Sequence, residues 1–149
     1  MSVNNAKIFI GTSGWHYDHW QGNFYPDKIG KKSWFNYYSR HFNTVEINNT
    51  FYQLGSEKTF RNWRKQAHKG FVYAVKANRY ITHLKRLKEP AEPIKKFFAR
   101  VNLLGEHLGP VLYQLGPNMK KDIARLRSFL EILPEASIAV FEFRNRQWY

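Results

Sequence analysis

The sequence predicts an α/β fold of the (β/α) TIM-type barrel class, here its first five β-strands with the intervening helices. Two observations predict it. Five short apolar segments each lead into a longer amphipathic stretch, an alternation that builds a parallel sheet under helical cover. Polar residues also recur at the C-terminal ends of these segments, the end at which barrel enzymes carry their active sites. Right-handed crossovers leave a doubly wound sheet or a barrel. No Gly-x-Gly-x-x-Gly follows the first segment and no Walker-type loop is present, so the nucleotide-binding sheet loses its main support.

The first predicted strand is Lys7–Gly11 and the second Thr44–Asn48. Phe71–Lys76, Pro110–Leu115 and Ser137–Phe143 follow, all rich in β-branched and aromatic residues. Between them Trp34, Tyr37, Tyr38 and His41 recur at helical spacing, as do Phe60, Trp63 and Ala67. Ile94, Phe97, Phe98, Val101 and Leu104 form the clearest stripe, opening beside Pro93 as a helix start should. Ile123, Leu126, Phe129, Leu130 and Leu133 form the last, closed by Pro134.

Composition narrows the class. A chain of 149 residues that is 43% hydrophobic can bury the core of one domain, read here as residues 1–149. It contains no cysteine, which removes disulfide and thiolate chemistry. No apolar run approaches the roughly 20 residues of a membrane helix, so no membrane partner is expected. The N-terminal MSVNNAKIFI lacks the pattern of a secretory leader, and a cytoplasmic location is the default. The formal charge of +13 is concentrated between Glu57 and Arg100, where 13 Lys or Arg face three Glu. Such a segment is either a set of solvated helix faces or a surface for phosphates and nucleic acid.

Successive strand residues face opposite ways. Val45 and Ile47 therefore oppose Glu46 and Asn48, Val72 and Ala74 share a face with Lys76, Leu112 with Gln114, and Val140 with Glu142 and Arg144. Four strands thus place polar groups at the end of one face. The alternative is a structural ion-pair network among Glu46, Lys76, Glu142 and Arg144.

The same residues carry a resemblance. Gly11-Thr12-Ser13-Gly14-Trp15 with Tyr17, Trp20, Gly22 and Phe24-Tyr25-Pro26 resembles the opening of the domain of unknown function 72 family, the YecE-like proteins. The likeness runs on through Val45–Tyr52, Phe71–Ala77, Ile81-Thr82-His83, Leu108–Leu115 and Phe141–Arg144 with Trp148. It implies an eight-stranded barrel, a cytoplasmic protein of undetermined activity, and a full domain longer than this chain. Gly116-Pro117 stands where the family has Pro-Pro, and Asn145 where it usually has His, followed by Arg146 and Gln147 in place of Pro and Ser. The imidazole lost at 145 would be a general base or metal ligand if the family uses it so. A complete barrel typically needs about 250 residues, which makes this chain the N-terminal portion of one. If it folds alone, its open sheet edges predict self-association.

Glu46 and Glu142 suit acid–base or charge-stabilising work. Three strand spacings place their backbones roughly 13 Å apart across a barrel mouth. Lys76 fits an anion clamp or a salt-bridge partner of either carboxylate, and His83 a proton acceptor. Arg144 can bind a carboxylate or phosphate bidentately, while Gln114 and Asn48 would orient ligand hydroxyls. Tyr52 follows its strand, where barrel loops bring binding residues, and Trp15 and Trp148 can stack on a ring or simply pack. No cofactor or metal is expected: His16-Tyr17-Asp18-His19 lacks a recognised zinc spacing, and a set of Glu46, His83 and Glu142 rests on fold analogy alone. Three functions fit. The first is an enzyme for a small polar or phosphorylated molecule. The second is a nucleic-acid-binding or nucleic-acid-processing protein using the basic surface. The third is a non-catalytic fragment with an incomplete site.

Overall fold

The computed structural model describes residues 7–149. Its centre is one sheet of five parallel strands in the order β1-β2-β3-β4-β5. These are β1 Gly11–Ser13, β2 Thr44–Ile47, β3 Val72–Lys76, β4 Leu108–Leu115 and β5 Ala139–Phe143. Each strand pairs with the next in sequence, so these five contain none of the order reversal that defines a doubly wound sheet.

Helices fill the crossovers. α1 is Trp34–Tyr38, α2 Asn49–Tyr52, α3 Glu57–Gln66, α4 Ala91–Val101 and α5 Ile123–Glu131. Their starts follow from capping chemistry. Ser56 accepts the Thr59 amide hydrogen at 3.3 Å ahead of α3, and Asp122 accepts that of Arg125 at 2.9 Å ahead of α5. α4 carries Pro93 in its first turn, where its missing N–H costs nothing.

The strand alternation sorts residues as expected. Val45, Ile47, Tyr73, Val75, Val111, Tyr113 and Leu115 are buried on the helix-covered face, each contributing about 1.5–3 kcal/mol. Tyr73 donates its hydroxyl to the Trp63 carbonyl of α3 at 2.9 Å, and the Tyr113 ring meets Phe129 of α5 edge-on. On the other face Glu46, Ala74, Lys76, Leu112 and Glu142 are half-buried and Val140 is exposed.

Three strands differ most from expectation in their limits, the fifth opening at Ala139 rather than Ser137. The first strand begins at Gly11 rather than Lys7, and Ile8, Phe9 and Ile10 are exposed. Gly11 is already level with Thr44, the first residue of β2, so the preceding residues have no extended partner there. Gly11 is also required at that level, since a Cβ there would lie 2.1 Å from the Thr44 carbonyl oxygen. The fourth strand begins at Leu108 rather than Pro110. Tyr73 pairs with Leu108 but Val75 with Val111, which leaves an extra residue on β4. Gly109-Pro110 is therefore a bulge inside the strand, not its boundary. Gly109 is needed because a Cβ would sit 2.3 Å from Cγ1 of Val72.

Candidate functional site

The polar strand ends form two clusters. In the first, Glu46 of β2 lies level with Ser13 of β1 and accepts the Ser13 hydroxyl hydrogen at 3.1 Å. The Asn48 amide donates to the same hydroxyl oxygen. Glu46 and Asn48 border a 120 Å³ cavity with Trp15, His16, Tyr17 and Trp63. Trp15 is buried against Phe35 and Trp63, and its indole N–H has no partner among the described residues. Its contacts are those of a core residue. Burial first, and then the Lys31 charge, lower the His16 imidazole below its ordinary value.

The second cluster joins β3, β4 and β5. Glu142 accepts from the Gln114 amide at 2.6 Å and from Nε of Arg144 at 2.7 Å. Burial works to raise this carboxyl. The two hydrogen bonds and the charges of Arg144 and Lys76 outweigh it and hold the group below its ordinary value. Glu142 is therefore an ionised acceptor at neutral pH.

Lys76 departs from expectation. Among the described residues no carboxylate lies within 4.0 Å of its ammonium, which instead stands 5.0 Å over the Phe51 ring. Lys76 is paired in register with Leu112, and β4 lies between it and Glu142 on β5. The alternative of an ion-pair network among Glu46, Lys76, Glu142 and Arg144 reduces, among the described residues, to the Glu142–Arg144 pair.

His83 completes this cluster. It lies in a π-helical turn, Tyr80–Leu84, and its ring meets Phe51 edge-on at 5.1 Å. Burial lowers its pKa most, followed by the charges of Arg144, Arg79 and Lys76. Its Nδ1 is 2.9 Å from the Thr82 hydroxyl. Behind it Gly116 is so close that a Cβ there would lie 3.2 Å from the imidazole Cδ2.

The remaining candidates lie apart. Tyr52 on α2 is 72% exposed and borders a separate surface groove with Gln53 and Ser56. Trp148 stacks on Phe143 at 4.6 Å and donates to the Met119 carbonyl at 3.0 Å. Asn145 donates to the Pro117 carbonyl at 2.7 Å and accepts the Gln147 amide hydrogen at 3.0 Å, tying the end of β5 to the β4–α5 loop. Among the described residues no group of three or more His, Asp or Glu is arranged to hold a metal ion, so Glu46, His83 and Glu142 do not converge as a ligand set.

Sequence reasoning missed the groups that hold this architecture. The Thr50 hydroxyl donates to the Lys76 carbonyl at 2.7 Å, and Asn78 donates to the Thr50 carbonyl at 2.8 Å while its own oxygen receives the Tyr80 amide hydrogen at 2.9 Å. Together they pin the loop after β3 to the end of β2. Arg79 sits in that loop, and its position three residues beyond Lys76 was the available signal.

Residues 9–149 match the family described as "Protein of unknown function DUF72". The chain belongs to the DUF72 family. Among DUF72 relatives, the UPF0759 protein YunF of Bacillus subtilis is 30% identical over 151 residues, covering 95% of this chain and 52% of YunF. The UPF0759 protein YecE of Escherichia coli is 29% identical over 146 residues, covering 95% and 50%. A DUF72 family protein from Thermotoga maritima superposes with a TM-score of 0.76 at 27% identity, over 89% of this chain and 55% of that one. A DUF72 protein from Enterococcus faecalis, at 20% identity and a TM-score of 0.68, shares the fold over 79% of this chain and 50% of its own length. The chain spans about half the length of the curated DUF72 relatives it matches. Among the described residues no helix is long and apolar enough to cross a membrane.

Proposed function

We propose that this single domain is the N-terminal part of a DUF72 (β/α)₈ barrel, and that its strand ends form part of an acid–base site for a small polar or phosphorylated ligand. One observation carries the reading: an ionised Glu142, buttressed by Gln114 and Arg144, and a His83 kept neutral by its surroundings both lie within reach of the Arg144 and Lys76 charges. A neutral imidazole can accept a proton and an ionised carboxylate can stabilise the positive charge that results. In this scheme His83 is the proton acceptor, Glu142 and Glu46 the stabilising carboxylates, and Lys76 and Arg144 the binding cations. Asn48 and Gln114 orient the groups around them.

Barrel geometry supports bringing the two clusters to one mouth. Following the pairing from Glu46 through Ala74, Lys76, Leu112 and Val140 places Glu142 four residues further along the sheet. A shear of about eight residues over eight strands returns about one residue per strand, so three steps absorb all but about one of the four. Glu46 and Glu142 then stand at nearly the same height.

The test is a thermal-shift screen of polar and phosphorylated metabolites on this chain and on Glu142→Gln. A compound that protects the wild type and not the variant, while both fold, is the expected result. If every protecting compound acts equally on both, the site is wrongly placed.

A second reading, nucleic-acid binding, is favoured by a 1020 Å³ groove lined by Arg61, Arg64, Lys65 and Lys69. Arg64 is already paired with Glu106 at 2.7 Å, and the groove adjoins the N-terminal end of β3, away from Glu142. Salt-sensitive oligonucleotide binding that Lys65→Glu abolishes would establish it.

A further inference from the structure

The cluster around His83 carries an excess of positive charge. Lys76, Arg79 and Arg144 contribute three positive charges there, and Glu142, bound to Arg144 at 2.7 Å, one negative charge at its edge. Lys76 and Arg79 have no carboxylate within 4.0 Å among the described residues. Lys76 and His83 both pack on one aromatic ring, at 5.0 and 5.1 Å from Phe51, and the Lys76 charge acts on the imidazole. Arg144 commits Nε to Glu142, and among the described residues its terminal nitrogens have no partner. With Nδ1 of His83 engaged by the Thr82 hydroxyl, Nε2 is the ring atom left to face an anion, as a further donor once it has accepted a proton.

We propose that Lys76, Arg79, Arg144 and His83 form an anion subsite that seats a phosphate monoester of the ligand. The assignment rests on the mouth being a ligand site and names the chemical class it takes. A monoester is close to a dianion at neutral pH, and two negative charges balance the excess of this cluster; a phosphodiester supplies one. Its peripheral oxygens accept from guanidinium, ammonium and imidazole N–H groups at once. The loop that supplies Arg79 and His83 has the backbone of a constrained site. A π-helical turn is followed by Arg86, Leu87 and Glu89 at φ of 49°, 62° and 43°, anchored by the buried Leu87, whose amide donates to the Ile81 carbonyl at 3.0 Å.

The experiment is an NMR titration of this chain with inorganic phosphate at constant ionic strength, read on the His83 imidazole. Saturable binding should raise the His83 titration midpoint, because the bound anion offsets the cations that depress it. Lys76→Gln and Arg79→Gln should each weaken binding about tenfold or more, Lys76→Arg should restore most of it, and the exposed Lys95→Gln should leave it unchanged. Amide spectra check that each variant folds. Phosphate that leaves His83 unmoved, or is weakened equally by Lys95→Gln, overturns the subsite. So does a short single-stranded DNA that binds more tightly than phosphate and ignores Arg79→Gln. If phosphate fails while a neutral compound still protects the wild type and not Glu142→Gln, the mouth stands and only the anion subsite falls. If neither binds, both fall.

Discussion

Replacing Glu142 by Gln removes a charge and keeps the shape, which separates the ionic from the hydrogen-bonded part of its contacts. The Arg144 and Glu142 side chains are 49% and 40% exposed, so water screens their attraction. Losing that ion pair should cost about 0.2–1 kcal/mol. Gln114 is 7% exposed, and its amide depends on Glu142 as acceptor at 2.6 Å. In Glu142→Gln the new amide oxygen can still accept from it. In Glu142→Ala nothing does, and an unsatisfied buried donor costs about 1–3 kcal/mol. Urea denaturation should therefore rank the wild type above Glu142→Gln and that above Glu142→Ala, with unchanged m-values. The pH dependence has a fixed sign. The folded carboxyl titrates below its unfolded value of about 4.3, so its stabilisation is complete above that pH. Acidification protonates the unfolded chain first, and the advantage over Glu142→Gln fades as pH falls through the folded value. Equal losses in the two variants, or a gap that widens on acidification, would refute the reasoning.

Four further outcomes are expected. His83 should titrate below 6.5 by NMR, and Arg79→Gln should move it upward. Because its folded value is depressed, the unfolded chain binds this proton first, so stability is lost as pH falls from about 6.5 toward the folded value. Tyr113 has a buried hydroxyl with no partner among the described residues, so Tyr113→Phe should stabilise the fold by about 1 kcal/mol in urea denaturation. Tyr73→Phe loses the bond to the Trp63 carbonyl and should destabilise by a similar amount, about 1 kcal/mol. Gly11→Ala sets a methyl against the Thr44 carbonyl and should cost about 1–3 kcal/mol. Hydrogen exchange should then quicken at the Gly14 amide, which bonds Glu46 at 3.0 Å, while the Val75 amide stays protected.

Strands β2, β3 and β5 were legible because alternation is a local property, and the buried set Val45, Ile47, Tyr73 and Val75 follows from it. The first strand was not, because Lys7–Ile10 has strand composition and lacks a neighbour at its level. Pairing is decided by the partner chain segment, and composition does not contain it. Gly109-Pro110 reads as a boundary in sequence and becomes a bulge only when Val72 and Tyr73 lie alongside. The π-helical turn escaped for a related reason: Ile81 and Thr82 are β-branched, and their burial overrides that propensity. At the site, sequence identified Glu46, Lys76, Gln114, Glu142 and Arg144 as sharing one face. It could not give their contacts, and the Lys76 ammonium stands over the ring of Phe51 with no carboxylate within 4.0 Å among the described residues.

The mouth is also divided chemically. Around Glu46 the contacts are neutral, a serine hydroxyl with an amide beside it. Around His83 three cations gather, and its proton affinity is lowered by burial and by those charges, while Glu142 pairs with only one of them, Arg144. Crowded like charges raise the energy of a folded chain, and so does non-glycine backbone at positive φ, by about 1 kcal/mol or more per residue. Both features occur together in and beside the loop that follows β3. A purely structural cluster would be relieved by one more carboxylate at almost any of these positions. The described residues instead leave Lys76 and Arg79 without one, and an anion that pairs with them would lower the energy of the folded chain as it bound.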